Sequence, residues 1–493
     1  MKNMTLFRAA EACGGRLLGV SDDTRELKRI VIDSRFVEPG DLFAAYKGER
    51  VDGHDFIPAA IEKGAACCLA QHIPEGVSGP VLLVEDVQKA LEQIAAAYRK
   101  ELSIPMIGIT GSVGKTSAKE MIAAVLEQRF RVLKTDKNLN NQIGVPMTIS
   151  RIEPEHQAAV VEMGISGFGE MRSLARIVKP TIGVFTVIGH AHLEFLHDRQ
   201  GVLRAKTEML EEMEDDALVI VNGDDDLLRD FPTRQRKLCF GMSRDCEVRA
   251  EEISVNPEGY SVCSIVYGER RFPVTIPSFG QHMIYAALEG AAVGFALGLS
   301  DGEIARGIAS FATVGRRSAV TETGSITLID DSYNANPDSV KCGMDSLVQL
   351  PGRHLAILGD MLELGEQEKE MHRDVGRYAA QKGIELVLCQ GPLAREMAEG
   401  AGERGRWFET KAALIAALPS LIRQGDKVLV KASRGMRFEE IAEALKAQHG
   451  VELDKRKVEL TEPVRTVGQT TIVLKLSAGV STRMIMNVVA AEK

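Results

Sequence analysis

Short apolar runs closed by glycine or serine alternate with longer amphipathic stretches over most of this chain. The segment Ile104-Pro-Met-Ile-Gly-Ile-Thr110 is one such run, with the continuous apolar character of a parallel strand buried on both faces. Residues 115–129 follow it as an amphipathic helix. Further runs at 158–162, 181–186 and 218–222, with helical patterns between them, predict a doubly wound α/β sheet. Upstream, a helix over 6–13 and strands over 29–33 and 41–45 predict a small α/β unit reaching about residue 83, and 87–100 a linking helix. Downstream, strands at 327–330, 354–358, 386–389 and 427–430 with helices between them predict a smaller Rossmann-like unit. The end of the chain differs: 470–476 and 483–489 alternate like two strands of a ribbon, with Ser477-Ala-Gly479 between them. The expected division is 1–100, 101–315, 316–450 and an appended tail, 451–493.

Composition sharpens this picture without changing it. A chain of 493 residues exceeds what a single core organises, so several domains are expected. Its 45% hydrophobic and 26% charged content is that of a globular protein. The formal charge of −9 argues against a general binder of polyanions. Eight cysteines are scattered with no C-x-x-C pair, so reduced thiols are expected rather than a zinc site or a disulfide framework. The N-terminus lacks the apolar core of a signal peptide, and no run of about 18 apolar residues occurs; the expectation is a cytoplasmic protein.

The strongest chemical signal is Gly108-Ile-Thr-Gly-Ser-Val-Gly-Lys-Thr-Ser117, between a predicted strand and a predicted helix. Glycines let a loop turn its N–H groups toward phosphate oxygens, and the helix N-terminus adds partial positive charge. Residues 111–117 would cradle a nucleotide, with Lys115 reaching the β- and γ-phosphates and Thr116 offering its hydroxyl to Mg²⁺. The spacing is that of a variant loop, because Ile109 stands where the usual pattern has its first glycine. Glu162 ends a buried strand, where its carboxylate would face the crevice and suit a hard cation. His192, in Gly189-His-Ala-His192, and Lys206, in Arg204-Ala-Lys206, carry little weight by spacing alone.

Several longer motifs extend the pattern. They are Asp33-Ser-Arg35, Pro39-Gly-Asp-Leu-Phe43, Asp52-Gly-His-Asp-Phe56 and Asn138-Leu-Asn-Asn-Gln-Ile-Gly-Val-Pro146, followed by Asp330-Asp-Ser-Tyr-Asn-Ala-Asn-Pro337, Leu358-Gly-Asp-Met-Leu-Glu-Leu-Gly365 and Lys431-Ala-Ser-Arg-Gly-Met436. With the phosphate loop, they resemble the Mur ligase family of peptidoglycan synthesis from about residue 30 to about 445. The resemblance implies three domains: an N-terminal UDP-sugar-binding unit, a central ATPase and a C-terminal Rossmann-like unit. It implies an amide-forming ligase that adds D-alanyl-D-alanine to a UDP-N-acetylmuramoyl-tripeptide through an acyl phosphate. It also implies ATP and two Mg²⁺ ions as cofactors. A monomer without membrane or nucleic-acid partners is expected besides. Another amino-acid acceptor, as in other Mur steps or folylpolyglutamate synthesis, is the alternative.

The same resemblance distributes roles. Lys115, Lys206, His192 and Arg316 would be catalytic, Arg316 reaching the γ-phosphate from the domain junction. Thr116, Glu162, His192 and Lys206 would hold metal, Lys206 as a carbamate bridging the two ions. His282, Asp331, Asn334 and Asn336 would line the nucleotide, and Ser34, Arg35, Asp52, His54, Asn140, Asn141, Ser433 and Arg434 the other substrates. One departure stands out. Gly280-Gln-His282-Met-Ile-Tyr-Ala286-Ala-Leu is similar to the family's adenine segment G-x-H-N-x-x-N-A-L, but Met283 and Ala286 replace both asparagines.

From about residue 439 the chain instead resembles the C-terminal domain of ribosomal large-subunit protein nine, on Val451-Glu-Leu-Asp-Lys-Arg-Lys-Val-Glu-Leu460 and Asn487-Val-Val489. A passive appended ribbon is the expectation, and a ribosome contact the alternative. The run Lys455-Arg-Lys457 is read as a solvated charge patch.

Overall fold

The computed structural model describes residues 1–20, 22, 24–48, 51–449, 458–459, 468–477 and 480–488. Nearest the N-terminus, five strands lie in the order Arg16–Leu18, Val81–Leu83, Cys67–Ala70, Leu42–Ala44 and Ile30–Val31. Only the Arg16–Leu18 edge runs antiparallel. The helix Val87–Arg99 leads out of this sheet and buries Val87, Leu91, Ile94 and Tyr98. Those residues join a core that also takes side chains from the next sheet.

That second sheet has nine strands. They run Arg270–Phe279, Tyr260–Tyr267, Val248–Val255, Arg236–Gly241, Leu218–Asn222, Ile182–Phe185, Met106–Thr110, Ala158–Glu162 and Val132–Lys134. From Val248–Val255 to Val132–Lys134 every pairing is parallel. The strands Met106–Thr110 and Ala158–Glu162 are buried along their whole length, as parallel strands covered on both faces must be. The helices Lys115–Leu126 and Met283–Ala296 cover one face and share its core. The last three strands form an antiparallel extension that the search for apolar runs did not predict. In Arg270–Phe279 the buried Phe272, Val274 and Ile276 alternate with outward residues.

The third sheet is ordered Ala319–Glu322, Thr327–Asp330, Lys427–Lys431, His354–Gly359, Leu386–Gln390 and Gly405–Phe408, with only the first strand antiparallel. The helix Glu439–His449 follows. Phe438, Ile441, Ala442 and Leu445 belong to the core of this sheet.

At the end of the chain the expected ribbon is present as Gly468–Ser477 paired with Val480–Val488, and Val458–Glu459 adds a short third strand. The Lys455–Lys457 charge run, residues 478–479 and Val489 lie outside the described residues. Among the described residues, no helix is long and apolar enough to cross a membrane.

Candidate active site

Strand order decides where chemistry gathers. In the nine-stranded sheet, Met106–Thr110 lies between Ala158–Glu162 and Ile182–Phe185, so the chain's crossovers leave it on opposite sides. A crevice opens at the carboxyl end of such a strand, and the loop 111–114 sits there. Gly111 allows close approach: a Cβ on it would fall 1.9 Å from Thr186 Oγ1. Gly114 is left-handed and precedes the helix Lys115–Leu126 without a side-chain cap, which leaves the first-turn N–H groups for an anion. Ser112 is pinned through its N–H to Val187 O at 2.8 Å.

The loop opens into a cavity of about 400 Å³. Lys115 is half-buried there, and its ammonium donates to Gly111 O at 2.7 Å. Burial lowers its pKa, with Glu162 opposing and Arg317 adding to the effect. Thr116 Oγ1 donates to Glu162 Oε2 at 2.9 Å, and Asn140 Nδ2 donates to Glu162 Oε1, also at 2.9 Å. The second ligand candidate, His192, lines the same cavity, and its Nδ1 meets the Glu363 carboxylate of the third sheet's loops. That partner orients the ring and leaves Nε2 for another ligand. A buried carboxylate, a hydroxyl and an imidazole make a donor set that fits a divalent cation.

The opposite wall comes from the third sheet. Three of its motif loops follow the adjacent strands Thr327–Asp330, Lys427–Lys431 and His354–Gly359, and Ser433 stitches them together. Ser433 Oγ donates to Ala335 O at 3.3 Å and accepts from Leu362 N at 2.9 Å, while Ser433 N–H donates to Asp360 O. Lys431 joins Asp331 at 2.6 Å and Asn334 O at 2.9 Å. Asn336 caps the helix Pro337–Leu347, its Oδ1 accepting from Ser339 N. That helix presents Asp338 to the central sheet's loops, where it accepts from His190 N at 2.6 Å and meets the His190 ring. A Cβ on Gly189 would lie 2.3 Å from Asp338 Oδ2, so a larger residue there would push the carboxylate aside.

Of the residues expected from sequence, Ser112, Val113, Gly114, Lys115, Thr116, Ser117, Asn140, Asn141, Glu162, His192, His282, Asp331, Asn334 and Asn336 line this one cavity. Lys206 is buried but is not part of its wall. Burial, aided by the charge of Lys115 and opposed by Glu170, holds its pKa well below the usual lysine value. Arg316 points elsewhere, pairing with Glu443 at 2.6 Å and Glu439 at 3.7 Å, whereas its neighbour Arg317 lines the cavity and stacks 4.1 Å from the Tyr333 ring. Arg434 lies on the same ring at 5.1 Å. Ser34, Arg35, Asp52 and His54 belong to the first sheet's loops and are absent from the wall. There Arg35 chelates Asp33 in the open, and the buried His54 bonds to Asp52 at 2.6 Å and stacks on His72. Sequence reasoning missed Asn138, Arg317, Tyr333 and Lys431, all of which line the cavity.

Family profiles match most of the chain. "Mur ligase family, catalytic domain" matches residues 26–99, "Mur ligase middle domain" 109–294 and "Mur ligase, glutamate ligase domain" 315–434. The UDP-N-acetylmuramoyl-tripeptide--D-alanyl-D-alanine ligase of Bacillus subtilis (strain 168) is 35% identical over 459 residues, 90% of this chain and 99% of that enzyme. This chain belongs to the Mur ligase family. The Escherichia coli (strain K12) ligase of the same name is 34% identical over 90% of this chain and 99% of its own length. Among solved Mur ligases, MurF from Acinetobacter baumannii superposes with a TM-score of 0.84 at 30% identity, covering 90% of this chain and 99% of that one. MurF ligase from Thermotoga maritima, solved in complex with ADP, gives 0.77 at 28% identity over 85% and 97%. A fourth profile, "Ribosomal protein L9, C-terminal domain", matches 437–490, which lies beyond the Mur ligase matches.

Proposed function

We propose that this chain is an ATP-dependent ligase that joins D-alanyl-D-alanine to UDP-N-acetylmuramoyl-tripeptide in peptidoglycan precursor synthesis, acting as a cytoplasmic monomer. The observation that carries the reading is the meeting, across one cavity, of phosphate-loop residues 112–117 with Asp331, Asn334 and Lys431 of the third sheet.

The terminal carboxylate of the tripeptide attacks the γ-phosphorus of ATP and ADP leaves, giving an acyl phosphate. The D-alanyl-D-alanine amine then attacks the acyl carbon, and inorganic phosphate departs as the amide forms. Phosphoryl transfer of this kind depends on positioning and electrostatics. The backbone of 111–116 binds the β- and γ-phosphates, and Lys115 exchanges its bond to Gly111 O for phosphate oxygens. Magnesium, when bound, would neutralise charge on the transferring group; Thr116, Glu162, His192 and Lys206 would hold it. For Lys206 this requires a carbamate, formed when its neutral amine adds CO₂. Its burial and depressed pKa favour that amine. Arg317 supplies a cation on the side of the cavity facing Lys115. Arg434 and Ser433, which lie outside the cavity wall, would meet the dipeptide, where a guanidinium pairs well with a carboxylate. Asp338 against His190 and Glu363 against His192 hold the two walls together and keep water from the acyl phosphate.

The test is phosphate release from ATP with the UDP-linked tripeptide, with and without D-alanyl-D-alanine. Sustained release is expected only when both are present. A protein that consumes no ATP with both supplied would overturn the proposal.

A further inference from the structure

A second cavity, of about 310 Å³, shares Val113, Gly114, Ser117, His282 and Cys342 with the first. It therefore continues from the phosphate loop, where the base of a nucleotide held by that loop would lie. One of its walls is the helix Met283–Ala296, which carries a single carboxyl, that of Glu289, and otherwise only apolar residues and Tyr285. Ala286 and Glu289 are three residues apart and lie on one face of that helix, and both line the cavity. Ala286 is too small to reach far into it, which leaves room in front of the carboxyl.

The other acidic groups of this cavity are already engaged. Asp225 caps a helix through the Leu227 and Leu228 N–H groups and also accepts from Ile188 N. Asp224 accepts from Met242 N, Ser243 N and the Tyr285 hydroxyl. Asp338 is held by His190. Glu289 is buried, and its carboxyl has no hydrogen-bond or ion-pair partner among the described residues. A buried polar group without a partner is costly, and this one is aimed into a cavity large enough to bring it one.

Resting on the reading of this chain as a nucleotide-using ligase, we propose that Glu289 selects adenine, pairing with the 6-amino group and an adjacent ring nitrogen of the base. Burial raises the Glu289 pKa well above the usual carboxylate value, which favours the neutral carboxylic acid as the form that meets the base. Such an acid offers one acceptor oxygen and one O–H donor. Adenine's edge offers the complement, an N–H donor beside an acceptor nitrogen. A carboxylic acid therefore makes the same two-point contact as a side-chain amide. Met283 and Ala286 line this cavity without any amide, and Glu289, one helical turn further along, supplies that function.

The test compares binding of ATP and of purine riboside triphosphate, which lacks the 6-amino group, by calorimetry on the full chain. The comparison needs no peptide substrate. The wild type is expected to bind ATP about tenfold or more tightly than the analogue, the scale of one paired base edge. Glu289→Gln keeps the donor–acceptor pattern and should keep that preference, whereas Glu289→Leu should bring the two affinities close together. Thermal melting of each variant reports whether it is folded, and the wild-type comparison stands without any variant. Equal wild-type affinities, or an undiminished preference in folded Glu289→Leu, would overturn the inference alone. A wild type that binds neither nucleotide would overturn the ligase reading as well.

Discussion

At the scale of single residues, Lys115 and Lys206 make different demands. Lys115 opens the helix behind the loop, and its ammonium donates to the loop carbonyl Gly111 O, so replacing it leaves the cradle without its cation. Lys115→Ala should lower ATP-dependent ligation by about a hundredfold to a thousandfold, the scale of one lost preorganised donor; near-normal steady-state turnover would refute the assignment. Burial holds the Lys206 pKa well below the usual lysine value, which favours the neutral, nucleophilic amine over the charged form that an exposed lysine keeps. If that amine carries CO₂, Lys206→Ala should lose nearly all activity and regain part of it when a short carboxylate such as acetate is added. An unaffected variant, assayed under the same conditions, would mean that no carbamate is needed. Single residues are also where the sequence was least legible. Nothing in a run of two arginines says that Arg316 turns to Glu439 and Glu443 while Arg317 turns to the cavity. A backbone step of one residue decides it, and that step is set by tertiary contacts. Glu289 did leave a signal, a lone carboxylate inside an otherwise apolar helix.

Elements carry the second kind of information. Strands buried on both faces read directly as apolar runs, which is why Ala158–Glu162 and Leu218–Asn222 were found with their ends in place. The same search passes over strands such as Arg270–Phe279, whose alternation places polar residues between Phe272, Val274 and Ile276. Pairing across elements was not legible at all, because the contact between His190 and Asp338 spans 148 residues. Burial works against the charge of Asp338, but hydrogen bonds from the His190 ring and N–H outweigh it and hold the carboxyl below its ordinary range. A carboxylate with a depressed folded-state pKa stabilises fully above the unfolded value, and that contribution disappears as pH falls through the lowered one. Asp338→Asn should therefore flatten the acid side of the stability profile below about pH 4. With a third of the side chain open to water, the loss near neutral pH should be about 1 kcal/mol or less. Melting temperature against pH measures both, and an unchanged acid limb would show that the junction does not depend on this charge.

For the whole molecule, the question is where the ligase ends and the tail begins. The ribosomal profile starts at residue 437, inside a stretch that the fold uses elsewhere. Phe438, Ile441, Ala442 and Leu445 are buried in the core of the third sheet, and Glu439 and Glu443 of the same helix hold Arg316. The helix thus serves the ligase whatever its sequence likeness, and the functional boundary falls after it. Two truncations separate these views. Removing residues 451–493 should leave ligation within about twofold of the full chain, since no residue lining the cavity lies in that segment and changes without shared partners act nearly independently. Removing 437–493 should destabilise the third sheet severely, because each large apolar side chain withdrawn from a core forfeits about 1.5–3 kcal/mol. Ligation rate and thermal melting of the two truncations decide the matter. A shorter truncation that lost activity would make the tail part of the enzyme, and ribosome co-sedimentation abolished by that same truncation would assign the tail a partner of its own.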